Sequence, residues 1–530
     1  MKGFAKLICV VTVIIGVLFL SACGGKKSSG DGKVAFNETG FPIVNEPFTL
    51  KVIAAKSTVS NDYPDLPLFQ EIAKKTGITV DWQYAGVDWA TQKPLVLASN
   101  DLPDIFFGRT AVTESDVVGN MELFVQLDDL IEKYGVNIKA MFQKQPSMLS
   151  FTKAYDGHIY GLPQQLARRP ATYAVYGINQ NWLDKLGLQL PTTTEEFYTV
   201  LKAFKTRDPN GNGIADEIPW TFRGEDDGIA GYTDMLCAFG VVNNINGDWL
   251  SVTNGKVQYI VAQEGFQDAI VYLRRLYAEG LIDQEAFTQD WNQFTAKTHQ
   301  ADPEIIGVGP HWSRNAAFDD RGDEHYSLLM PLKGPKGHQG WRTNPEFVKG
   351  AKYVLEITTA CKNPEIAFRW ADTFYDEMVG LQMYAGYVGV RLNDNGNGTY
   401  TALPPPAGTN DDDWMWRNGM GDLSVGFVSD ELSGRYEDPI FDRQYLDKER
   451  LSAYFPKEYY PLVAMTPDEL NELATLRTDI HTFAQQQVAN WVVNGGIENE
   501  YTGFIRQLET MGLSRMVDIY QKAYDRYMGK

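Results

Sequence analysis

FTLKVIAA (Phe48 to Ala55), ITVDW (Ile78 to Trp82) and DIFF (Asp104 to Phe107) are the three apolar runs that decide the fold. Each is short and bounded by turn-forming residues, as buried strands are. Between the first two, Leu68, Phe69 and Ile72 share one face of a helix that stops at Lys75-Thr76-Gly77. A second helix, through Leu95 and Leu97, leads to Asn100-Asp101-Leu102-Pro103 and the third strand. Strand–helix–strand–helix–strand in this order predicts a parallel sheet covered on both faces. Ligands of such sheets sit on loops after the carboxyl ends of strands. Here those loops are Lys56 to Tyr63, with Lys56, Asp62 and Tyr63 as candidates, and Gly108-Arg109-Thr110, with Arg109.

Working outward, residues from about 165 to 310 look like a second body. Thr192 to Glu196 offers a capping box, and Phe197, Val200, Leu201 and Phe204 follow at helical spacing. A longer helix runs from Phe266 through Ile270, Leu273 and Tyr277 to Gly280. Strand-like stretches return after Tyr326. Asn363 and Pro364 then open a helix whose stripe is Ile366, Trp370 and Phe374. The last 65 residues are helical, with Leu473, Leu476, Ile480 and Phe483 on one face and Phe504, Leu508 and Met511 on the next.

The amino terminus fixes the compartment. Lys2 and Lys6 precede an apolar run from Leu7 to Leu20, and Leu20-Ser21-Ala22-Cys23 closes it. The run is too short to span a bilayer as a helix and reads as a secretory signal. It resembles the lipoprotein signal, which implies cleavage before Cys23 and a diacylglyceryl group on its sulfur. Two acyl chains suffice for anchoring, at about 0.8 kcal/mol per buried methylene. Residues 24–33, GGKKSSGDGK, hold no apolar residue. Such a tether reaches roughly 17 Å on average. The chain carries 48 Lys and Arg against 68 Asp and Glu, a formal net charge of −20. That sign argues against nucleic acid or anionic lipid as a partner. About 500 residues beyond the signal are too many for one core. Cys237 and Cys361 could pair or remain as two buried thiols.

KKTGITVDW (Lys74 to Trp82), LASNDLPDIFF (Leu97 to Phe107), YDGHIYGLP (Tyr155 to Pro163) and NWLDKLGLQLPTTTEEF (Asn181 to Phe197) continue into LYAEGLID (Leu276 to Asp283), NPEIAFRWAD (Asn363 to Asp372) and AYDRY (Ala523 to Tyr527). In this order, behind such a signal, the set resembles a family 1 extracellular solute-binding protein of the LipO-like lipoprotein subgroup, which serves sugar ABC importers. The resemblance implies an α/β, two-lobe periplasmic-binding-protein-like fold of the type II class, with a hinge and extra C-terminal helices. It implies a cleft that closes on ligand and a closed form that permease subunits recognise. The expected division is a signal over 1–22, a lipidated tether over 23–45 and the first part of the N-terminal lobe over 46–165. The first part of the C-terminal lobe follows over 166–325. Residues 326–400 return mainly to the N-terminal lobe, and 401–530 form cleft loops and C-terminal helices, mainly of the C-terminal lobe. The protein is expected to act as a monomer on the extracytoplasmic face of the cell membrane.

RDPNGNGIADE (Arg207 to Glu217) places Asp208, Asn210 and Asn212 at positions 1, 3 and 5 of a calcium loop, with Gly213 at position 6. The Ile214 carbonyl and Asp216 take positions 7 and 9. Position 12 is Pro219, so no bidentate Glu closes the shell there; the family's own loop implies that Glu217 does so instead. Ca²⁺ would be structural. The alternative is a plain Gly/Asn turn, as Asp394 to Gly398 is expected to be between two strands.

Sugar sites pair flat aromatics with planar polar groups. The chain holds 12 Trp. Trp370 and Trp491 lie on helix stripes and are expected in the core. Trp312 follows GVGPH where a strand turns into a loop, which suits a cleft platform. Trp414, Trp416 and Arg417 lie in the polar run DDDWMWRNGMG. Trp220 and Arg223 leave the metal loop directly, Gln164 and Gln165 stand near the expected crossover, and the resemblance implies a ligand contact at Tyr387. GVGPHW lacks the third glycine of a dinucleotide fingerprint, and neither HExxH nor GxSxG occurs. The leading expectation is a receptor that captures an oligosaccharide and acts as no enzyme. A surface glycoside hydrolase, or a peptide or lipopeptide receptor on the same scaffold, is the alternative.

Overall fold

The three apolar runs lie side by side. In the computed structural model β1 (Phe48–Ala55) pairs in parallel with both β2 (Ile78–Ala85) and β3 (Ile105–Phe107). Helix Pro67–Thr76 joins the first two, burying Leu68, Phe69 and Ile72 and ending on Gly77 at φ 76°. A left-handed cap of this kind is where glycine costs least. The structure describes residues 34–530 except 87, 100, 168, 225–227, 244–248, 344–349 and 410, without the side chains of 411, 412, 440, 441 and 443. The signal, Cys23 and tether residues 23–33 lie outside the described residues.

Next come β4 (Leu162–Gln165), β5 (Val175–Asn179), β6 (Ile218–Trp220), the hairpin of β7 (Leu250–Thr253) and β8 (Lys256–Tyr259), β9 (Ile306–His311) and β10 (Tyr326–Leu328). The chain then returns through β11 (Gly350–Ile357). Among the described residues the two larger sheets are ordered β2-β1-β3-β11-β4 and β10-β5-β9-β6. β11 is antiparallel to both β3 and β4, so the first sheet is mixed rather than wholly parallel. The reason is topological: β11 arrives from the other sheet and enters from the cleft edge. β10 pairs with β5 in the second sheet, so the return expected at 326 is made by β11, from residue 350.

Each sheet carries its own apolar packing. Around the second, Val175, Ile178 and Val308 of β5 and β9 share one core cluster with apolar residues of helices Thr194–Thr206, Phe266–Ala278, Pro467–Asn494 and Leu513–Tyr527. Thr193 and Glu196 form the expected capping box. Around the first, Ile53, Phe106 and Phe124 form one cluster, while Leu166, Leu381 and Tyr436 form another beside it. Trp370 and Trp491 are buried as expected. Cys237 and Cys361 are separate buried thiols, each pushed up to about 12 by burial.

The chain passes between the sheets three times: from β4 to β5, from Trp341 in the second core to β11, and from Tyr436 to Leu451, again in the second core. Beside the first two passes, β4 and β11 touch backbone to backbone. A Cβ on Gly350 would stand 2.1 Å from the Gln164 carbonyl oxygen, so no larger residue fits. Segment 166–174 leaves the carboxyl end of β4 and enters the amino end of β5. The carboxyl ends of β1, β2 and β3 share that edge of the first sheet, and those of β6 and β9 share that edge of the second. The ligand loops of both sheets therefore lie on the same side as this pass. Among the described residues no helix is long and apolar enough to cross a membrane.

Candidate functional site

β9 ends at His311, and the next residue, Trp312, turns out of the sheet half-buried. Its indole is fixed from three directions. Nε1 donates to Gln444 Oε1 at 2.9 Å, the Tyr173 ring meets it edge-on at 5.7 Å, and the Arg169 guanidinium lies 5.1 Å from its centroid. Lys448 Nζ stands 2.9 Å over the same ring. Gln444 and Lys448 share one face of helix Pro439–Leu451, which makes the third pass. Arg169 belongs to the first. Trp312 thus sits where two passes converge.

Arg169 also links the sheets. It pairs with Asp422 and lies 5.4 Å from the Tyr384 ring. The neighbouring Leu423 carbonyl accepts from Arg109 N at 3.2 Å, which brings the 420–423 turn onto the end of β3. Thr110, the next residue, has φ 85°. A β-branched residue held there costs of order 1–3 kcal/mol, a strain typical of functional loops. Lys56, which is ion-paired with Asp62, Thr110 and Leu423 line a hollow of about 430 Å³ together with Trp89 and Lys93. Trp416 packs on Gly421 beside this turn, Trp414 is half-buried, and Arg417 is exposed.

Two acids of this region are engaged. Asp422 pairs with Arg169, and Asp447 accepts from Arg314 Nε at 2.7 Å. His311 Nδ1 accepts from Trp312 N at 2.8 Å. Burial, with smaller effects from His299 and Lys448, pushes the His311 imidazole down to about 3, so it is neutral at ordinary pH.

Other sequence candidates fall elsewhere. Trp220 is fully buried among Tyr176, Phe197 and Phe222, because the end of β6 turns its side chain into the core. Tyr63 is buried too, stacked on Phe69 at 5.0 Å with its hydroxyl donating to the Ala55 carbonyl. Neither side chain reaches a ligand, which corrects the expectation for both. Gln164 and Gln165 are buried, and their amides donate to carbonyls of Ser424 and Val428, so they hold the cleft turn in place. Tyr387 donates to Glu71 on helix Pro67–Thr76 at 2.8 Å. Arg169, Gln444, Lys448 and Asp422 were not legible, because only the passes bring them together. Trp291 was missed as well; its position directly after the helix-capping Asp290 is a local sign of exposure.

A roomier groove of about 640 Å³ shares none of the residues around Trp312. Its walls come from helices Pro146–Thr152 and Leu513–Tyr527 and include Phe151, Tyr155 and Tyr527.

In loop 208–217, Asp208 accepts from Gly211 N (2.8 Å) and Gly213 N (3.1 Å), while Asp216 accepts from the amides of Asn210 (2.8 Å) and Asn212 (2.9 Å). The Asn210 and Asn212 side-chain oxygens accept from Asn212 N (3.0 Å) and Ile214 N (2.7 Å). Glu217 is buried, with Oε1 lacking a hydrogen-bond partner. Burial raises its pKa, and the charges of Asp208 and Asp216 add to the effect. Among the described residues no group of three His, Cys, Asp or Glu is placed to hold a metal. This loop instead interleaves its acids with amide oxygens. A buried carboxylate with one oxygen lacking a partner, beside two further acids, fits a hard cation.

The chain is 32% identical to the fructooligosaccharide ABC transporter substrate-binding protein FusA of Streptococcus pneumoniae serotype 4, over 99% of this chain and 98% of the relative. It belongs to the substrate-binding proteins of sugar ABC transporters. FusA in complex with kestose superposes on this binding protein with a TM-score of 0.83 at 30% identity, covering 91% of this chain and 99% of FusA. An EF-hand mutant of FusA with fructo-nystose gives 0.82 at 29% identity, over the same shares. A human-milk-oligosaccharide (HMO) binding solute-binding protein from Bifidobacterium longum infantis gives 0.80 at 27%, again over 91% and 99%. Lipoprotein LipO of Bacillus subtilis (strain 168) is 25% identical over 62% of this chain and 64% of its own. No family model matches the chain. These comparisons bear out the two-lobe α/β fold. Substrate-binding proteins of ABC importers work outside the cytoplasm and bind rather than transform.

Proposed function

We propose that this binding protein captures an oligosaccharide between its two sheets, with Trp312 as the central stacking platform, and hands it unchanged to ABC permease subunits. The observation that supports this best is the setting of Trp312. A half-buried indole is held by Gln444, Tyr173, Arg169 and Lys448 at the convergence of two interlobe passes. A sugar offers an apolar C–H face to such a ring and hydroxyls to the amide and guanidinium groups around it. Arg109, Asp62, Lys56, Trp414, Trp416 and Arg417 form the surrounding polar and aromatic rim. Closure brings the rims together because the ligand binds the closed state better.

Ca²⁺ is held by Asp208, Asn210, Asn212, the Ile214 carbonyl, Asp216 and Glu217, and it fixes the approach to β6. Cys23 carries the lipid that keeps a monomeric receptor at the membrane. Hydrolysis is disfavoured: a glycosidase needs a protonated carboxylic acid opposite a second carboxylate, whereas Asp422 and Asp447 each sit on an arginine.

Calorimetry with kestose, fructo-nystose and xylo-, malto- and galacto-oligosaccharide series, followed by chromatography of the recovered sugar, tests this. One intact sugar bound per protein is expected. Products of cleavage, or no binding across the whole panel, would contradict it.

A further inference from the structure

Away from the passes, the second sheet runs β5, β9, β6. Trp312 follows β9. Farther out, just past the carboxyl end of β6, stands Arg223, and its guanidinium lies 5.5 Å from the ring centroid of Trp291. Trp291 opens helix Trp291–Thr298 and remains 38% exposed. A large, part-exposed indole at the ligand-bearing edge, held by a cation, offers a steadied ring face for stacking. Its ring also lies 5.4 Å from that of His311, the residue before Trp312. His311, neutral, therefore stands between the two indoles, bonded to the Trp312 backbone and in ring contact with Trp291. The outer end of the first sheet's edge stays open as well, at the 430 Å³ hollow beyond β1 and β2.

We infer that Trp291, steadied by Arg223, is a second stacking platform that takes the outer monosaccharide units of a chain whose inner units sit on Trp312. The inference rests on the reading of Trp312 as the central platform and adds a length preference to it. Arg223 restricts the indole's rotamers before ligand arrives, so stacking there loses little side-chain freedom. A sugar too short to leave Trp312 gains nothing from Trp291. A longer one gains a stacked ring.

The test is calorimetric affinity for kestose, a trisaccharide, and fructo-nystose, a pentasaccharide, in wild type, Trp291→Ala, Trp291→Phe and Trp312→Ala. Trp291→Ala is expected to weaken fructo-nystose about tenfold and to leave kestose within twofold. Trp291→Phe, which keeps a stacking face, should recover most of the loss. Equal effects on both sugars, or none on either, would overturn the outer platform. Trp312→Ala is expected to weaken both sugars. If it weakens neither, the central platform fails, whatever Trp291 does. Wild type that binds neither sugar overturns both readings. Melting temperature checks that each variant folds, and the exposure of Trp291 predicts little change there.

Discussion

Trp220 and Trp312 stand at the ends of adjacent parallel strands of one sheet, and they do opposite things. Trp220 closes β6 opposite Val308, four residues before Trp312, and is sealed in the core. Trp312 lies one residue past β9 and is half-buried where two passes meet. Residue type is the same; position along the strand differs. A tryptophan inside the ladder must take one face of the sheet, and here that face is packed by helices. One residue past the ladder, the side chain is released toward the cleft.

The comparison predicts effects of different kind and size. Trp220→Ala removes a fully buried indole and should cost about 3–5 kcal/mol of stability by denaturant unfolding, with sugar affinity of the folded fraction nearly intact. A loss of affinity at unchanged stability would reverse the two roles. Calcium removal should act on the Trp220 side, since Glu217 lies three residues before it. Chelation is expected to lower the melting temperature by roughly 5 °C. Glu217→Gln should abolish that sensitivity, and a melting curve indifferent to chelator would remove calcium from the account. Trp312→Ala should weaken sugar binding at least tenfold, about 1.4 kcal/mol, while moving the melting temperature little.

A further effect is a pH dependence. His311 has a folded-state pKa depressed to about 3, against about 6.5 when unfolded. Between these values the unfolded chain binds the extra proton, so stability falls as pH drops through about 6.5. His311→Gln should flatten that limb when unfolding is followed from pH 7 to 4. An unchanged slope would show that His311 takes up a proton without opposing the fold.

The parts legible in the sequence are those that local periodicity writes down. ITVDW marked the start of β2, which continues to Ala85, and Leu473, Leu476 and Ile480 lie along helix Pro467–Asn494. Asp394 to Gly398 is the expected turn, between strands Leu392–Asp394 and Tyr400–Ala402. What was missed is written in long-range pairing. The antiparallel entry of β11 depends on a chain returning from another sheet. Arg169, Gln444 and Lys448 become neighbours of Trp312 only through passes that no local pattern encodes. Trp220 was misplaced for the same reason, because its burial follows from the strand beside it. The 208–217 loop was visible as spacing, with Glu217 implied by the resemblance, and the structure adds that this carboxylate is buried.

A crystal structure of the protein with kestose decides whether Trp312 carries the sugar. An intact trisaccharide is expected, with one ring stacked on Trp312, between the edges of the two sheets. A sugar lodged instead in the groove beside Phe151 and Tyr527, or found cleaved at Trp312, would contradict it.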